Sequence, residues 1–295
     1  MQIKALIKSM RLRTLPLSLA GVMLGGLMGY NTGNQSLWAL VFLFLTTVSL
    51  QILSNLSNEL GDHLSGVDGK DRVGPNYSLS EGGLTVKQMW RAINGIVIAC
   101  CLFGLLMVWT SHSPWWILLI GAAAIWAATH YTLGKNPYGY KGLGDLFVFI
   151  FFGLVSVIGS YFVMAHSLAV WIVFPAIGIG LLSVAVLNVN NIRDIDSDRG
   201  KRMTVPLKIG WRRACIYQTI LVVLGWLLIA LSFGGHQCQR LIVCQWLMFC
   251  TLPLFVWHIA CIWGREGKDL DPMLPLLVMS TFLVSLICTI GNYGL

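Results

Sequence analysis

The sequence predicts an all-α polytopic membrane protein, one integral-membrane domain over residues 1–295, and three observations lead there. Of the 295 residues 56% are apolar and only 11% are charged, with a mean hydropathy of +0.74; a soluble domain carries about 25% charged residues. Nine apolar runs approach or reach the roughly 20 residues that cross a ~30 Å hydrocarbon core as a helix. The basic residues fall in short segments between those runs. The net charge of +8 therefore reads as the positive-inside bias of a membrane protein, not as the nucleic-acid footprint of a soluble one.

In chain order, Ile3, Leu6, Ile7 and Met10 lie opposite Lys4, Lys8 and Arg11, the spacing of a short helix resting in the membrane interface; a frayed basic tail is the alternative. The run that follows resembles a signal peptide, but no A-x-A site appears and further spans follow, so it is kept as the first span. The nine spans are Leu15 to Tyr30, Ser36 to Leu53, Met89 to Trp109, Trp115 to Tyr131, Leu146 to Ala165, Leu168 to Leu187, Ile216 to Phe233, Leu241 to Trp263 and Leu274 to Ile290. Tyr30, Trp115, Trp116, Tyr131 and Trp263 stand at span ends, where aromatic rings anchor helices at the interface. The eight cysteines show no CxxC pair and mostly lie inside these runs, so they read as small apolar residues.

An odd span count puts the termini on opposite sides, and nineteen of the twenty Lys and Arg residues then share the side of the N-terminus, Arg240 being the exception. That side is read as cytoplasmic. All twelve acids fall on or beside the same face. Acids do little to set orientation, so their gathering points to a site there.

Two polar segments carry that site. The second span runs into Asn55-Leu-Ser-Asn58-Glu59-Leu-Gly-Asp62, with Asp68 beyond it, and the sixth into Asn190-Asn191-Ile-Arg193-Asp194-Ile-Asp196-Ser-Asp198. Residues four apart share a helix face, so Asn58 pairs with Asp62, and Asn190 with Asp194 and Asp198. Asn58 and Asn190 are 132 residues apart, as are Asp62 and Asp194. The sixth span comes four after the second, so both motifs end at one face, as two parallel repeats would. Like carboxylates at this spacing repel and are costly near lipid, so something cationic must compensate. Oxygen ligands without His or Cys select hard cations, and Mg²⁺ takes one or two carboxylates plus substrate phosphates. Either motif alone reads equally as a solvated acidic loop; the matched pair argues for Mg²⁺ bridging a diphosphate.

Arg11, Arg72, Lys135, Arg193, Arg199, Lys201 and Lys208 lie near this face. The turns at Arg72-Val-Gly74-Pro75 and Gly134-Lys135-Asn-Pro-Tyr138-Gly-Tyr140-Lys141 have the Gly and Pro content to close a charged lid over phosphates.

These residues carry a resemblance. Arg11-Leu-Arg13-Thr14-Leu-Pro16, the Gln51 to Asp62 motif with Gly66-Val-Asp68, Asp71-Arg72-Val-Gly74-Pro75, Tyr131-Thr132, Leu143-Gly144-Asp145 and the Asn190 to Asp198 motif with Gly200-Lys201 resemble the UbiA superfamily of intramembrane aromatic prenyltransferases. Within it they are most similar to the 1,4-dihydroxy-2-naphthoate polyprenyltransferases, the MenA type. The pieces span residues 11 to 210 in the family's order; the last third is similar in its spans alone. The resemblance implies about nine transmembrane helices around a central cavity with a polar cap and a lateral opening to lipid. It implies Mg²⁺-dependent transfer of a polyprenyl chain from its diphosphate to 1,4-dihydroxy-2-naphthoate with loss of CO₂, giving demethylmenaquinone in a bacterial inner membrane. Asp62, Asp68, Asp194 and Asp198 would be catalytic and, with Asn58 and Asn190, ligate the metal. Asn58, Arg72, Lys135, Asn190, Arg193 and Lys201 would meet the diphosphate, with Arg11, Glu59 and Tyr131 as further candidates. Glu59 stands where the family usually has Asp, which leaves its part in the ligand set open, and Leu133 stands where small residues are usual. The alternatives are a relative using another acceptor such as 4-hydroxybenzoate, and a membrane transporter. The spacing from Asp62 to Asp68 argues against the first, and acids at one face instead of the midplane argue against the second. CDP-alcohol phosphotransferases also repeat acids at a membrane face, but their Asp-Gly-x₂-Ala-Arg pattern is absent.

Overall fold

Helices long and apolar enough to cross a membrane dominate the structure, a computed structural model that describes residues 3–33, 36–67, 78–232 and 239–292. Among the described residues eight segments qualify by length and composition. The short amphipathic α1 (Ile3–Met10) leads through a turn at Arg11 into α2 (Leu15–Thr32), with Pro16 in its first turn, where a missing N–H costs nothing. Then follow α3 (Leu37–Leu64), α4 (Val86–Ser111), opened by a Thr85/Gln88 capping box, and α5 (Ile117–His130). The fourth apolar run of the sequence is thus a helix of 14 residues, about 21 Å long, short for a full crossing.

The second half repeats the plan with α6 (Gly144–Ala165), α7 (Val173–Arg193), the short α8 (Val205–Ile209) and α9 (Trp211–Leu231). The eighth run divides at Thr251 into α10 (Gln239–Cys250) and α11 (Leu252–Gly264), because Pro253 has no N–H to continue the ladder. Last comes α12 (Met273–Asn292). No disulfide joins the cysteines among the described residues.

Packing follows the predicted repeat: α3 lies most extensively on α4, and α7 on α9. Where helices touch closely, glycine allows it. A Cβ on Gly153 would stand 2.5 Å from the Gly180 Cα, so α6 and α7 meet backbone to backbone. Beside this contact α6 widens into a π-helix over Phe149–Gly159, a rare form that is frequent at functional sites.

Tertiary bonds gather the loops at one end of the bundle. The Lys201 Nζ donates to the Val67 carbonyl at 3.3 Å, the Met203 N–H to the Tyr140 carbonyl at 3.0 Å, and Arg193 Nη1 to Asp271 at 2.8 Å. α1 joins this end through Lys8 and Glu81, 2.5 Å apart. The ends of all the elements that carry the acidic motifs therefore form one polar cap.

Candidate active site

A cavity of about 1180 Å³ runs from this cap into the bundle. Its depths are lined by apolar side chains of α2 to α7, and it reaches the outer surface beside Leu105, Trp116 and Leu168, which are 47%, 50% and 68% exposed. These exposed apolar residues put one edge of the cavity on the outer apolar surface of the bundle. Towards the cap its wall turns polar, with Arg11, Arg13, Asn58, Asp62, Tyr131, Asn190, Arg193 and Arg202.

The first motif reaches the cavity because α3 continues helical through Leu64, about three turns beyond the apolar run. Asn58 and Asp62 then share the inward face. The Asp62 carboxylate is buried and accepts the Tyr140 hydroxyl at 2.8 Å. Thr132 is seated against this helix: its hydroxyl donates to the Ser57 carbonyl at 2.9 Å, and a Cβ on Gly61 would fall 2.4 Å from the Thr132 Oγ1. Only glycine leaves room for that contact. Glu59, one residue from Asn58, faces the other way. It is fully buried under α1, accepting the Ser9 hydroxyl at 3.2 Å and the Leu79 N–H at 3.0 Å, and does not line the cavity.

In the second motif the helix ends earlier than the spacing implies. α7 stops at Arg193 with Asp194 as its C-cap, although one further turn brings the Asp198 N–H onto the Asp194 carbonyl at 2.9 Å. Asn190 lines the cavity, whereas Asp194 and Asp198 do not. Arg193 grips Asp194 through two bonds, at 2.8 and 2.7 Å, and also reaches Asn190 at 2.9 Å. Arg202 lies 2.8 Å from Asp198 and 3.8 Å from Asp194. The repulsion expected between these carboxylates is thus offset from within the chain.

The two motifs feel one another. Burial raises the Asp198 pKa above the ordinary carboxylate value; Arg202 opposes the shift, and Asp194 and Asp62 add to it. Burial works against the Arg202 charge, yet Asp198 and then Asp62 hold its pKa above the usual value. Tyr131 is pushed up to about 12, mainly by burial, against the pull of Arg202, so it remains a neutral phenol at physiological pH.

The remaining predicted residues lie as follows. Arg11 takes a left-handed backbone at φ 48°, uncommon for a residue with a side chain, where the chain turns from α1 into the membrane. Lys135 is exposed on the loop 131–143 and does not line the cavity. Asp68 and Arg72 lie outside the described residues. Four contributors escaped the sequence reading: Arg202, Asp271, Tyr140 as a partner of Asp62, and a polar wall in which Gln51 donates to Thr14 at 3.1 Å and to Asn55 at 3.2 Å. For Arg202 a signal existed, since it continues the four-residue period of Asp194 and Asp198. For Asp271 none did.

The donor chemistry suits a hard divalent ion. Asn58, Asp62, Asn190, Asp194 and Asp198 offer oxygen alone, and the Oδ2 of buried Asp198 has no hydrogen-bond partner. Among the described residues no three acidic, His or Cys side chains already converge on one point, so metal binding requires side chains to shift.

Comparison with known proteins agrees with this geometry. The UbiA prenyltransferase family profile matches residues 18–286. The chain is 36% identical over 299 residues to the 1,4-dihydroxy-2-naphthoate octaprenyltransferase of Escherichia coli, covering 98% of this chain and 95% of that one. It is 34% identical over 290 residues to that of Haemophilus influenzae, covering 95% and 93%. Among solved structures, the apo form of a UbiA homolog from Aeropyrum pernix K1 matches with a TM-score of 0.71 at 15% identity, over 94% of this chain and 97% of that one. A UbiA homolog from Archaeoglobus fulgidus bound to GPP and Mg²⁺ matches with a TM-score of 0.69 at 16% identity, over 97% and 98%; at such identities the likeness is one of fold. Nearly the whole chain is thus accounted for by one profile and by full-length relatives, and the protein belongs to the UbiA prenyltransferase family.

Proposed function

We propose that the protein transfers a polyprenyl chain from its diphosphate to 1,4-dihydroxy-2-naphthoate. The observation that carries the reading is the pairing of two acidic helix ends over an apolar cavity with one edge on the outer apolar surface, in a chain similar over nearly its whole length to enzymes named for that reaction. A polyprenyl diphosphate is half lipid and half polyanion. Its tail suits the apolar depths and the cavity edge beside Leu105 and Trp116, and its headgroup belongs at the cap.

When bound, Mg²⁺ would neutralise the diphosphate and stabilise the charge it gains on leaving. Asn58 and Asp62 on one side, and Asn190, Asp194 and Asp198 on the other, are the residues to hold it. Lys135 and Lys201, on the cap loops, would meet the phosphates, and the sequence pattern adds Asp68 and Arg72 as candidates for the metal and the diphosphate. The C–O bond of the allylic diphosphate breaks with its electron pair passing to the departing diphosphate. An electron-rich ring carbon of the acceptor supplies the pair for the new C–C bond. The carboxyl leaves as CO₂, its bonding pair returning to the ring, which gives demethylmenaquinone at the quinol level. Thr14, Gln51 and Asn55 line the wall next to Asn58 and can hydrogen-bond the acceptor's hydroxyls. The apolar depths keep water from the electron-poor allylic carbon. On the positive-inside reading, the cap and the N-terminus face the cytoplasm of a bacterial inner membrane.

The test is direct. Purified protein is given 1,4-dihydroxy-2-naphthoate, 4-hydroxybenzoate and a polyprenyl diphosphate with Mg²⁺, and products are identified by mass. The naphthoate should gain the tail and lose its carboxyl as CO₂. Prenylated 4-hydroxybenzoate alone would move the assignment to another acceptor. Within this reading Gln51→Leu should raise the KM for the naphthoate and leave that for the diphosphate nearly unchanged.

A further inference from the structure

The second motif presents a contradiction. Its two carboxylates are the charges a divalent ion should meet, yet the polar groups that line the cavity on that side are Asn190, Asn191, Arg193, Arg202 and Asp271, the last already paired with Arg193. The two arginines are not held alike. Arg193 is fixed by Asp194, Asn190 and Asp271, at 2.7 to 2.9 Å. Arg202 touches Asp198 at 2.8 Å and Asp194 at 3.8 Å, with its side chain 12% exposed.

We propose that Arg202 is a built-in competitor of the divalent ion: its guanidinium stands between the cavity and Asp198, and an ion entering from the cavity reaches that carboxylate by displacing it. The inference rests on the magnesium reading of the site given above and adds the step by which the ion enters. Three observations support it. Asp198 is 1% exposed and keeps one oxygen, Oδ2, without a hydrogen-bond partner, so Arg202 neutralises the carboxylate without using up its capacity as a ligand. The backbone beside Arg202 is tied down, the Met203 N–H to the Tyr140 carbonyl at 3.0 Å, so the guanidinium can withdraw by rotation of its long side chain alone. Its position four residues after Asp198, with its N–H on the Asp198 carbonyl at 3.2 Å, places it one turn beyond that acid on the same face, the arrangement in which an opposite charge offsets repulsion. Such a cation keeps two buried carboxylates compatible with the fold before the ion arrives.

The experiment compares wild type, Arg202→Gln and Arg199→Gln, each purified in detergent, stripped with a chelator and titrated with Mg²⁺ alone. Binding is read by calorimetry and folding by thermal unfolding. Arg199 is 72% exposed and pairs with Asp196, so Arg199→Gln removes the same charge from the same face without opening the site. Arg202→Gln should bind Mg²⁺ roughly tenfold tighter than wild type, because a neighbouring cation no longer opposes it. Its stripped form should unfold at a lower temperature than wild type, and saturating Mg²⁺ should restore the difference. Arg199→Gln should match wild type in both respects. Arg202→Gln binding no tighter than wild type or than Arg199→Gln overturns the proposal. So does an Arg202→Gln protein that stays unfolded at every Mg²⁺ concentration, since the ion should take over the lost charge. If wild type itself binds no Mg²⁺, the magnesium reading fails and this inference with it; if wild type binds and Arg202→Gln binds equally, this inference alone fails.

Discussion

At the scale of single residues, similar side chains a turn apart have different work. Asp62 lines the cavity and accepts one hydroxyl, whereas Glu59 spends an oxygen on Ser9 and Leu79 beneath α1. Asp62→Asn should therefore cut turnover by roughly 100-fold or more, as loss of charge stabilisation at a reacting centre does, and leave the fold intact, because an amide oxygen still accepts the Tyr140 hydroxyl. Glu59→Gln should keep most activity, since its amide oxygen can still take the Leu79 N–H; activity lost as in Asp62→Asn would return Glu59 to the ligand set. Asp194→Asn should lose activity and stability together. Taking one carboxylate from buried Arg193 leaves charge uncompensated, at a cost of up to about 3 kcal/mol, softened by Asp271. Asp269→Asn, on an exposed turn, is the control and should be silent in both product formation and thermal unfolding.

At the scale of elements, the loop 131–143 acts as a strap across both motifs. Thr132 sits on Gly61, the Tyr140 hydroxyl on Asp62, and the Tyr140 carbonyl on Met203 beyond the second motif. The strap sets how far apart the acids stand. Tyr140→Phe removes the hydroxyl's bonds to Asp62 and Ser65, each worth about 1 kcal/mol, so the unfolding temperature should fall modestly while the Mg²⁺ concentration for half-maximal rate rises. An unchanged Mg²⁺ dependence would leave the strap a structural clasp alone. Gly61→Ala drives a methyl into Thr132, which overpacking makes about 1–3 kcal/mol unfavourable; it should lower both activity and unfolding temperature. Gly and Pro in this loop made its turns legible in the sequence, but nothing there shows that Tyr140 reaches Asp62, because the two are 78 residues apart.

At the scale of the whole molecule, the bonds of Lys201 to Val67, Met203 to Tyr140 and Arg193 to Asp271 make one cap of loops from both halves. Cysteine labels near Lys135, Lys201 and Lys268 should therefore all react from one side, the cytoplasmic one on the charge bias. Labelling of Lys135 and Lys201 sites from opposite sides would contradict the fold, and labelling of all three from outside would reverse the orientation. EDTA should abolish turnover and added Mg²⁺ restore it; product formation undiminished without divalent ions would remove the metal from the mechanism.

The sequence by itself determined the membrane helices, the paired acidic motifs and their common face. Those depend on apolar run length, on residues four apart and on the 132-residue repeat, all of which are local or periodic along the chain. Only the tertiary structure decided which carboxylates meet the cavity. Glu59 points under α1, Asp194 is taken by Arg193 with Asp271 behind it, and Arg202 covers Asp198. Two carboxylates a residue or a turn apart look alike in sequence. Their roles diverge because a buried charge must find its partner in space, and that partner, as with Asp271 and Arg193, comes from a helix end 78 residues away.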